Sequence, residues 1–254
     1  MTFKKLTDLN DKIVVIIGGC GQIGYATAQR LSSQGARIIS ITHRNIEKAQ
    51  KMMDNLPNNH LKHLSILASV TDSSSLKKAA NEIENIAGRC DILINAAGTL
   101  NPIPPDNLKD LTDDIFDEIV SVNLRGVYAT IREFSNLLKN SGDALIVNIS
   151  SQSGQRASDS CVAYAASKAG VDLMTKTLAK SLAPTVRVIG IAPGYLEKAT
   201  SGVTRIIDNN ILANSTPLKR LGTGDDVAAT IEAYAMTIRY ATGITVLLDG
   251  GRLL

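Results

Sequence analysis

Ile13–Ser33 reads IVVIIGGCGQIGYATAQRLSS. Five consecutive β-branched or apolar residues, Ile13–Ile17, suit a short strand covered on both faces. Glycines follow at Gly18, Gly19, Gly21 and Gly24, and an amphipathic helical pattern then covers Gln22–Ser33. A strand, a glycine-rich turn and a helix in that order bring backbone N–H groups to a helix N-terminus, where a pyrophosphate is stabilised. The spacing is G-x-x-G-x-x-G over Gly18, Gly21 and Gly24, with Cys20, Gln22 and Ile23 lining the turn. The unit therefore predicts a dinucleotide-binding strand-turn-helix.

The same alternation repeats down the chain. Further β-rich runs lie at Arg37–Ile41, His63–Ala68, Asp91–Ala96, Ala144–Ile149, Val186–Ala192 and Thr245–Leu248. Helical patterns lie at Ser73–Ala87, Thr112–Lys139, Ala163–Leu182 and Asp225–Ala235. Buried runs separated by helices imply right-handed crossovers and a parallel sheet. The expected fold is α/β: a Rossmann-like, doubly wound parallel sheet of about seven strands with helices on both faces. A chain of 254 residues with no boundary signal is expected to form one domain. Residues from about 10 to 150 would bind the dinucleotide, and those from about 150 to 254 would carry catalysis and substrate binding.

Composition narrows the function. Lys and Arg number 27 against 24 Asp and Glu, so the basic balance is slight. No basic cluster marks a nucleic-acid face, and aromatics for base stacking are scarce. Cys20, Cys90 and Cys161 are far apart without a C-x-x-C, which suits reduced thiols in a cytoplasmic protein. His60 and His63 form an H-x-x-H without further ligands, so both are read as solvated loop histidines and no metal is expected. No apolar run approaches membrane-spanning length.

The second chemical signal is Asn148–Gly170, NISSQSGQRASDSCVAYAASKAG. Tyr164 and Lys168 stand at i, i+4 on one helix face. A free phenol titrates near pH 10, and a fixed cation beside it favours phenolate, so Lys168 is expected to draw the Tyr164 pKa down. Ser151, upstream, can return its hydroxyl to the same phenol. Taken singly, each residue has a plainer reading: a helix ion neighbour, a turn hydroxyl, a buried amide.

Together these residues resemble the short-chain dehydrogenase/reductase family, classical type, over almost the whole chain. Asn95-Ala96-Ala97-Gly98 is similar to the family's N-[NA]-A-G motif beside the cofactor. Asn123 matches its active-site asparagine, and Ser151 with Tyr164-x-x-x-Lys168 matches its Ser/Tyr/Lys signature. Pro193-Gly194 matches its P-G motif, and Pro217–Gly222 with Leu248–Gly251 resembles its C-terminus. Departures are Ile17 and Gln22 where the classical glycine motif has Thr and Gly, Ser69 in place of an Asp near the adenine, Ile189 in place of an Asn, and Lys198 in place of a Thr.

The resemblance implies an NAD(P)-dependent oxidoreductase acting on a carbonyl/alcohol pair. Tyr164 would donate or accept the proton, Ser151 would hold the reacting oxygen, Lys168 would bind the nicotinamide ribose, and Asn123 would hold a relay water. Ser69, Val70, Pro193 and Gly194 join the cofactor contacts. It also implies a homodimer or homotetramer built on the helices at Thr112–Lys139 and Ala163–Leu182, with the C-terminal strand at a second contact. The alternative is a dinucleotide-binding sensor or scaffold with little turnover, which has no need of a complete Asn123/Ser151/Tyr164/Lys168 set. An epimerase or dehydratase is disfavoured by the short chain. Substrate choice falls to Thr99–Asp106, Gln152–Val162 and Tyr195–Thr216; resemblance to 3-oxoacyl-carrier-protein reductases and to sugar or polyol dehydrogenases is about equal.

Cofactor choice is read at the end of the second strand. An acid about twenty residues past the glycines selects NAD. Here Thr42-His43-Arg44 follows Ile41, and no Asp or Glu lies between Arg37 and Ile46. A hydroxyl donates to a phosphate and a guanidinium clamps one bidentately. NADP is therefore preferred over NAD.

Overall fold

The computed structural model describes residues 8–157, 160–197 and 208–254. Seven strands form one parallel sheet: β1 (Ile13–Ile17), β2 (Arg37–Thr42), β3 (Leu64–Leu67), β4 (Ile92–Asn95), β5 (Ala144–Ile149), β6 (Val186–Pro193) and β7 (Thr245–Leu248). Their order is β3-β2-β1-β4-β5-β6-β7. The helices are α1 (Gln22–Ser33), α2 (Ile46–Asp54), α3 (Ser73–Ala87), α4 (Asp113–Val120), α5 (Gly126–Glu133), α6 (Ser135–Ser141), α7 (Val162–Leu182), α8 (Asn209–Asn214) and α9 (Gly224–Met236).

Strand alternation explains the two-sided core. Val15 and Ile17 face a cluster with Leu76, Ile83, Val127, Ile131 and Val171, from α3, α5 and α7. Val14 and Ile16 face the other way, onto Ala28, Leu31, Met53, Val227 and Ile231, from α1, α2 and α9. All five β1 residues are buried, as strands sandwiched between helix layers require. Each such aliphatic side chain contributes about 1.5–3 kcal/mol of transfer free energy.

Winding starts at β1 and runs outward both ways, so β1 and β4 are neighbours whose following segments diverge. That divergence opens a crevice at the carboxyl ends of the strands, where ligands of such sheets sit.

Two expectations need correction. The segment Thr112–Lys139 is not one helix. Ser121–Arg125 form a π-helical turn between α4 and α5, and Phe134, at φ −90° and ψ 1°, separates α5 from α6. A π turn is rare and occurs mostly as a single turn within α-helices, frequently at functional sites; here it carries Asn123. His63 is not a solvated loop histidine either. It is 3 % exposed, its Nδ1 accepts the Ile38 N–H at 3.0 Å, and its Nε2 pairs with the Pro57 carbonyl at 2.8 Å. The polar residue is buried because both ring nitrogens find backbone partners. Among the described residues no His/Cys/Asp/Glu group is arranged to hold a metal, and no helix is long and apolar enough to cross a membrane.

Candidate active site

The glycine turn is built by close approach. Gly18 has φ +82°, and a Cβ there would stand 2.9 Å from the Ala97 nitrogen. Its N–H donates to the Ile41 carbonyl at 2.9 Å. A Cβ on Gly24 would overlap the Gly18 carbonyl oxygen and come within 2.8 Å of Gly19 Cα. So Gly18 joins the ends of β1, β2 and β4, and Gly24 lets α1 start hard against the turn. The α1 N-cap, Gly21, has extended backbone and offers no capping side chain. The helix N-terminus formed by Gln22, Ile23 and Gly24 thus presents its N–H groups and positive dipole end to the crevice, beside Cys20. This is a cradle that side chains would fill, and it fits a pyrophosphate.

The rest of the expected nucleotide wall lies on the same carboxyl rim. Asn95 closes β4, followed by Ala96, Ala97 and Gly98. The Asn95 amide donates to Asn148 Oδ1 at 2.9 Å, and Asn148 donates to Thr175 Oγ1 at 3.0 Å. This buried amide chain ties β4 to β5 and to α7. Ser69 and Thr71 share a hydroxyl hydrogen bond of 2.8 Å after β3, and Val70 packs where a Cβ on Gly126 would stand, 2.9 Å away. Thr42 Oγ1 donates to the Arg44 carbonyl at 2.9 Å, which pins the turn after β2. His43 and Arg44 are exposed on that turn; partial burial and then the Arg44 cation push the His43 imidazole pKa down. Pro193 ends β6, and Gly194 donates to the Leu248 carbonyl at 2.9 Å, close enough to β7 that a Cβ would meet Asp249 Cα at 2.9 Å. Lys198 lies outside the described residues.

Ser151, Tyr164 and Lys168 converge at the end of β5. Ser151 is extended, caps the 3-10 turn Gln152–Gly154 and shares a side-chain hydrogen bond with Tyr164. Lys168 is 4 % exposed. Its Nζ donates to the Ile149 carbonyl at 2.8 Å and stands 5.7 Å from the Tyr164 ring centroid. Burial drives its pKa down to about 8, with Asp172 opposing. Charged Lys168 is therefore held in a poorly solvated place, primed for an additional acceptor.

The Tyr164 pKa is raised, not lowered. Burial of the phenol drives it up and the Ser151 hydrogen bond only partly offsets this. The expectation that Lys168 draws it down fails for the protein alone because burial of the phenol sets the direction, while the ammonium donates to the Ile149 carbonyl. Neutral Tyr164 is the form that can donate a proton.

Asn123 is fully buried. Its Oδ1 accepts the Thr99 N–H and its Nδ2 donates to the Thr99 carbonyl, both at 2.8 Å, with Ser167 Oγ at 3.4 Å. A Cβ on Gly98 would lie 3.2 Å from Asn123 Oδ1 and 3.7 Å from Lys168 Nζ. Asn123 therefore clips the loop after β4 beside Lys168, and a relay through its amide would have to exchange one of these bonds.

Sequence reasoning missed several supports. Ser150 Oγ donates to the Lys168 carbonyl at 3.2 Å. A Cβ on Gly154 would stand 2.7 Å from the Lys168 carbonyl carbon, so this glycine lets the Ser151 turn lie on α7. The glycine three residues after Ser151 was the available signal; the Ile149 carbonyl had none.

Comparison with known proteins decides the family. The model of the family described as short chain dehydrogenase matches residues 12–208. The chain belongs to the short-chain dehydrogenase family. It is 32 % identical to the 7alpha-hydroxysteroid dehydrogenase of Bacteroides fragilis, covering 95 % of this chain and 94 % of the relative. It is 31 % identical to a 3-oxoacyl-[acyl-carrier-protein] reductase of Thermotoga maritima, covering 96 % and 98 %. A solved short chain dehydrogenase from Bacillus anthracis superposes with a TM-score of 0.85 at 27 % identity, covering 96 % of this chain and 97 % of that one. This short-chain dehydrogenase is accordingly an NAD(P)-dependent oxidoreductase that interconverts a carbonyl and an alcohol.

Proposed function

We propose that Tyr164 donates the proton when a ketone is reduced and accepts it in the reverse direction. The carrying observation is one hydrogen-bonded pair, Ser151–Tyr164, with a buried ammonium one helical turn away at the rim of the dinucleotide crevice. Ser151 holds and orients the reacting oxygen. Lys168 binds ribose hydroxyls, and the charge it lends when those are in place stabilises developing phenolate. Asn123 keeps the loop after β4 closed behind Lys168. The glycine turn Gly18–Gly24, Thr42–Arg44, Ser69–Val70, Asn95–Gly98 and Pro193–Gly194 hold the nucleotide. When bound, the nicotinamide supplies the hydride.

NADP is the preferred cofactor. An acid that would repel a 2′-phosphate is missing from the turn after β2, and Arg44 is exposed there. Cys20, Cys90 and Cys161 stand apart without a disulfide between them, which supports a cytoplasmic setting. Exposed Phe116, Tyr128 and Leu173 on α4, α5 and α7, with Ile244 and Leu247 at the β7 edge, support a homodimer or homotetramer. The relatives' 3-oxoacyl and steroid substrates support a ketone with apolar flanks.

The test follows NADPH and NADH oxidation with ethyl acetoacetate, a 7-ketosteroid and sorbose, together with dissociation constants for both cofactors in wild type and Arg44→Ala. Turnover with at least one ketone and tighter NADPH binding, weakened in Arg44→Ala, are expected. Tighter NADH binding by the wild type contradicts the cofactor assignment, and an unchanged ratio in the variant removes Arg44 from it.

A further inference from the structure

The last five residues fold back onto the segment that leaves β6, and nothing in the chemistry above uses them. Gly250 and Gly251 have φ +67° and +85°, a reversal that glycine adopts without strain. Asp249 holds this turn through its two carboxylate oxygens, which accept the Gly251 N–H at 2.9 Å and the Leu253 N–H at 2.8 Å. The reversal brings Arg252 back toward β6. Its guanidinium carbon lies 4.8 Å from the Tyr195 ring centroid. Its Nη1 donates to Ser215 Oγ at 2.6 Å and to the Leu212 carbonyl at 3.4 Å.

These partners stand on two sides of one connection. Tyr195 is the first residue after Pro193-Gly194 at the carboxyl rim, and its carbonyl accepts the Gly222 N–H at 2.9 Å. Leu212 and Ser215 end α8, on the far side of that connection. One planar cation thus stacks on the departing flank and hydrogen-bonds the returning one. On the Tyr195 side a shallow hollow opens, lined by Tyr195, Leu196, Leu218, Arg220 and Leu248 among others. Lysine could supply the charge and the donors but not a flat face to stack on the Tyr195 ring.

We propose that Arg252 is a positioning residue that fixes Tyr195 and the end of α8 against each other and so sets the substrate-side wall of the cleft. This rests on the reductase reading for its kinetic consequence, and on geometry alone for the clamp. Arg252 stacks on Tyr195 and hydrogen-bonds Ser215 and Leu212 rather than Ser151, Tyr164 or Lys168, so its removal should alter substrate affinity and leave the chemical step in place.

The experiment uses the full chain in two arms. In the first, amide hydrogen exchange is compared in wild type, Arg252→Ala, Arg252→Lys and Tyr195→Leu. Exchange in residues 209–218 should rise about tenfold in Arg252→Ala, the loss of one stacked, charge-assisted contact, with α7 and the glycine turn unchanged. Arg252→Lys should restore part of the protection, and Tyr195→Leu should loosen the same region less. In the second arm, KM for the best ketone found among ethyl acetoacetate, a 7-ketosteroid and sorbose should rise about tenfold in Arg252→Ala, with kcat within about twofold. Unchanged exchange at 209–218 overturns the clamp. A uniform rise over the whole chain also overturns it, since Arg252 would then be a general structural contact. Equal loss of kcat with unchanged KM overturns the positioning role. If wild type reduces none of the ketones, it is the reductase reading that falls, and the exchange arm still decides the clamp.

Discussion

Lys168→Met should stabilise the cofactor-stripped protein while removing the group proposed to hold the nicotinamide ribose. Burial moves the Lys168 pKa from an ordinary 10.5 to about 8. Each pKa unit is worth about 1.4 kcal/mol, so the ionised side chain costs the fold on the order of 3 kcal/mol at neutral pH. Methionine matches the stem without the charge but leaves the Ile149 carbonyl unpaired, a loss of about 1–3 kcal/mol. The net gain at pH 7 is on the order of 1 kcal/mol, or about 2–4 °C in Tm for a chain of this size. The sign of the pH dependence separates these terms. A depressed folded pKa means that the unfolded chain binds the proton first as pH falls. The penalty is therefore complete below pH 8 and fades as pH rises toward 10.5. The unpaired carbonyl does not titrate. Between about pH 7 and about pH 9.5 the wild type should regain about 2 kcal/mol on the variant, read as a shrinking or inverted Tm difference in thermal unfolding followed by circular dichroism. A difference that stays constant or grows over this range would show that the ammonium is not a poorly compensated buried charge.

Gly154→Ala forces a Cβ to within 2.7 Å of the Lys168 carbonyl carbon and 2.8 Å of the Ala169 nitrogen, so the turn carrying Ser151 must lift from α7. Ketone turnover should fall about 10²-fold, the effect of misplacing a reacting group by about an ångström, with NADPH affinity little changed; wild-type kcat in this variant would show that the turn does not position Ser151. Asn123→Ala strips both backbone partners from Thr99, each worth about 1–3 kcal/mol when left buried and unpaired. Tm should fall by several degrees, with faster amide exchange at Thr99, and unchanged exchange there would remove the clip.

Much of this was legible because the signals are local. Five apolar residues in β1 can only be covered by helices on both faces, and the glycines that follow state where a backbone must come close. α1 and α3 begin and end where the amphipathic pattern does, since Asp72 caps α3 through Ser74 and Ser75 and Gly88 ends it in a left-handed conformation. Non-local facts were not legible. The π turn at Ser121–Arg125 keeps a helical hydrophobic pattern, so only the demand of Thr99 on Asn123 reveals the extra residue in the turn. His63 looked solvated because its partners, the Ile38 N–H and the Pro57 carbonyl, are backbone groups 25 and 6 residues away. The direction of the Tyr164 pKa is set by burial of the phenol, and an i, i+4 spacing fixes the helix face but not how deeply that face is covered.

Tyr164→Phe tests the proposed proton-carrying role of the Tyr164 hydroxyl by removing that single oxygen. Steady-state ketone reduction should be measured beside the NADPH dissociation constant and Tm of the same preparation. A fall in kcat of about 10²–10⁴-fold is expected, the range for loss of a general acid, with cofactor affinity within about twofold and the fold intact. A Tyr164→Phe enzyme that reduces the same ketone at close to the wild-type rate would contradict that role.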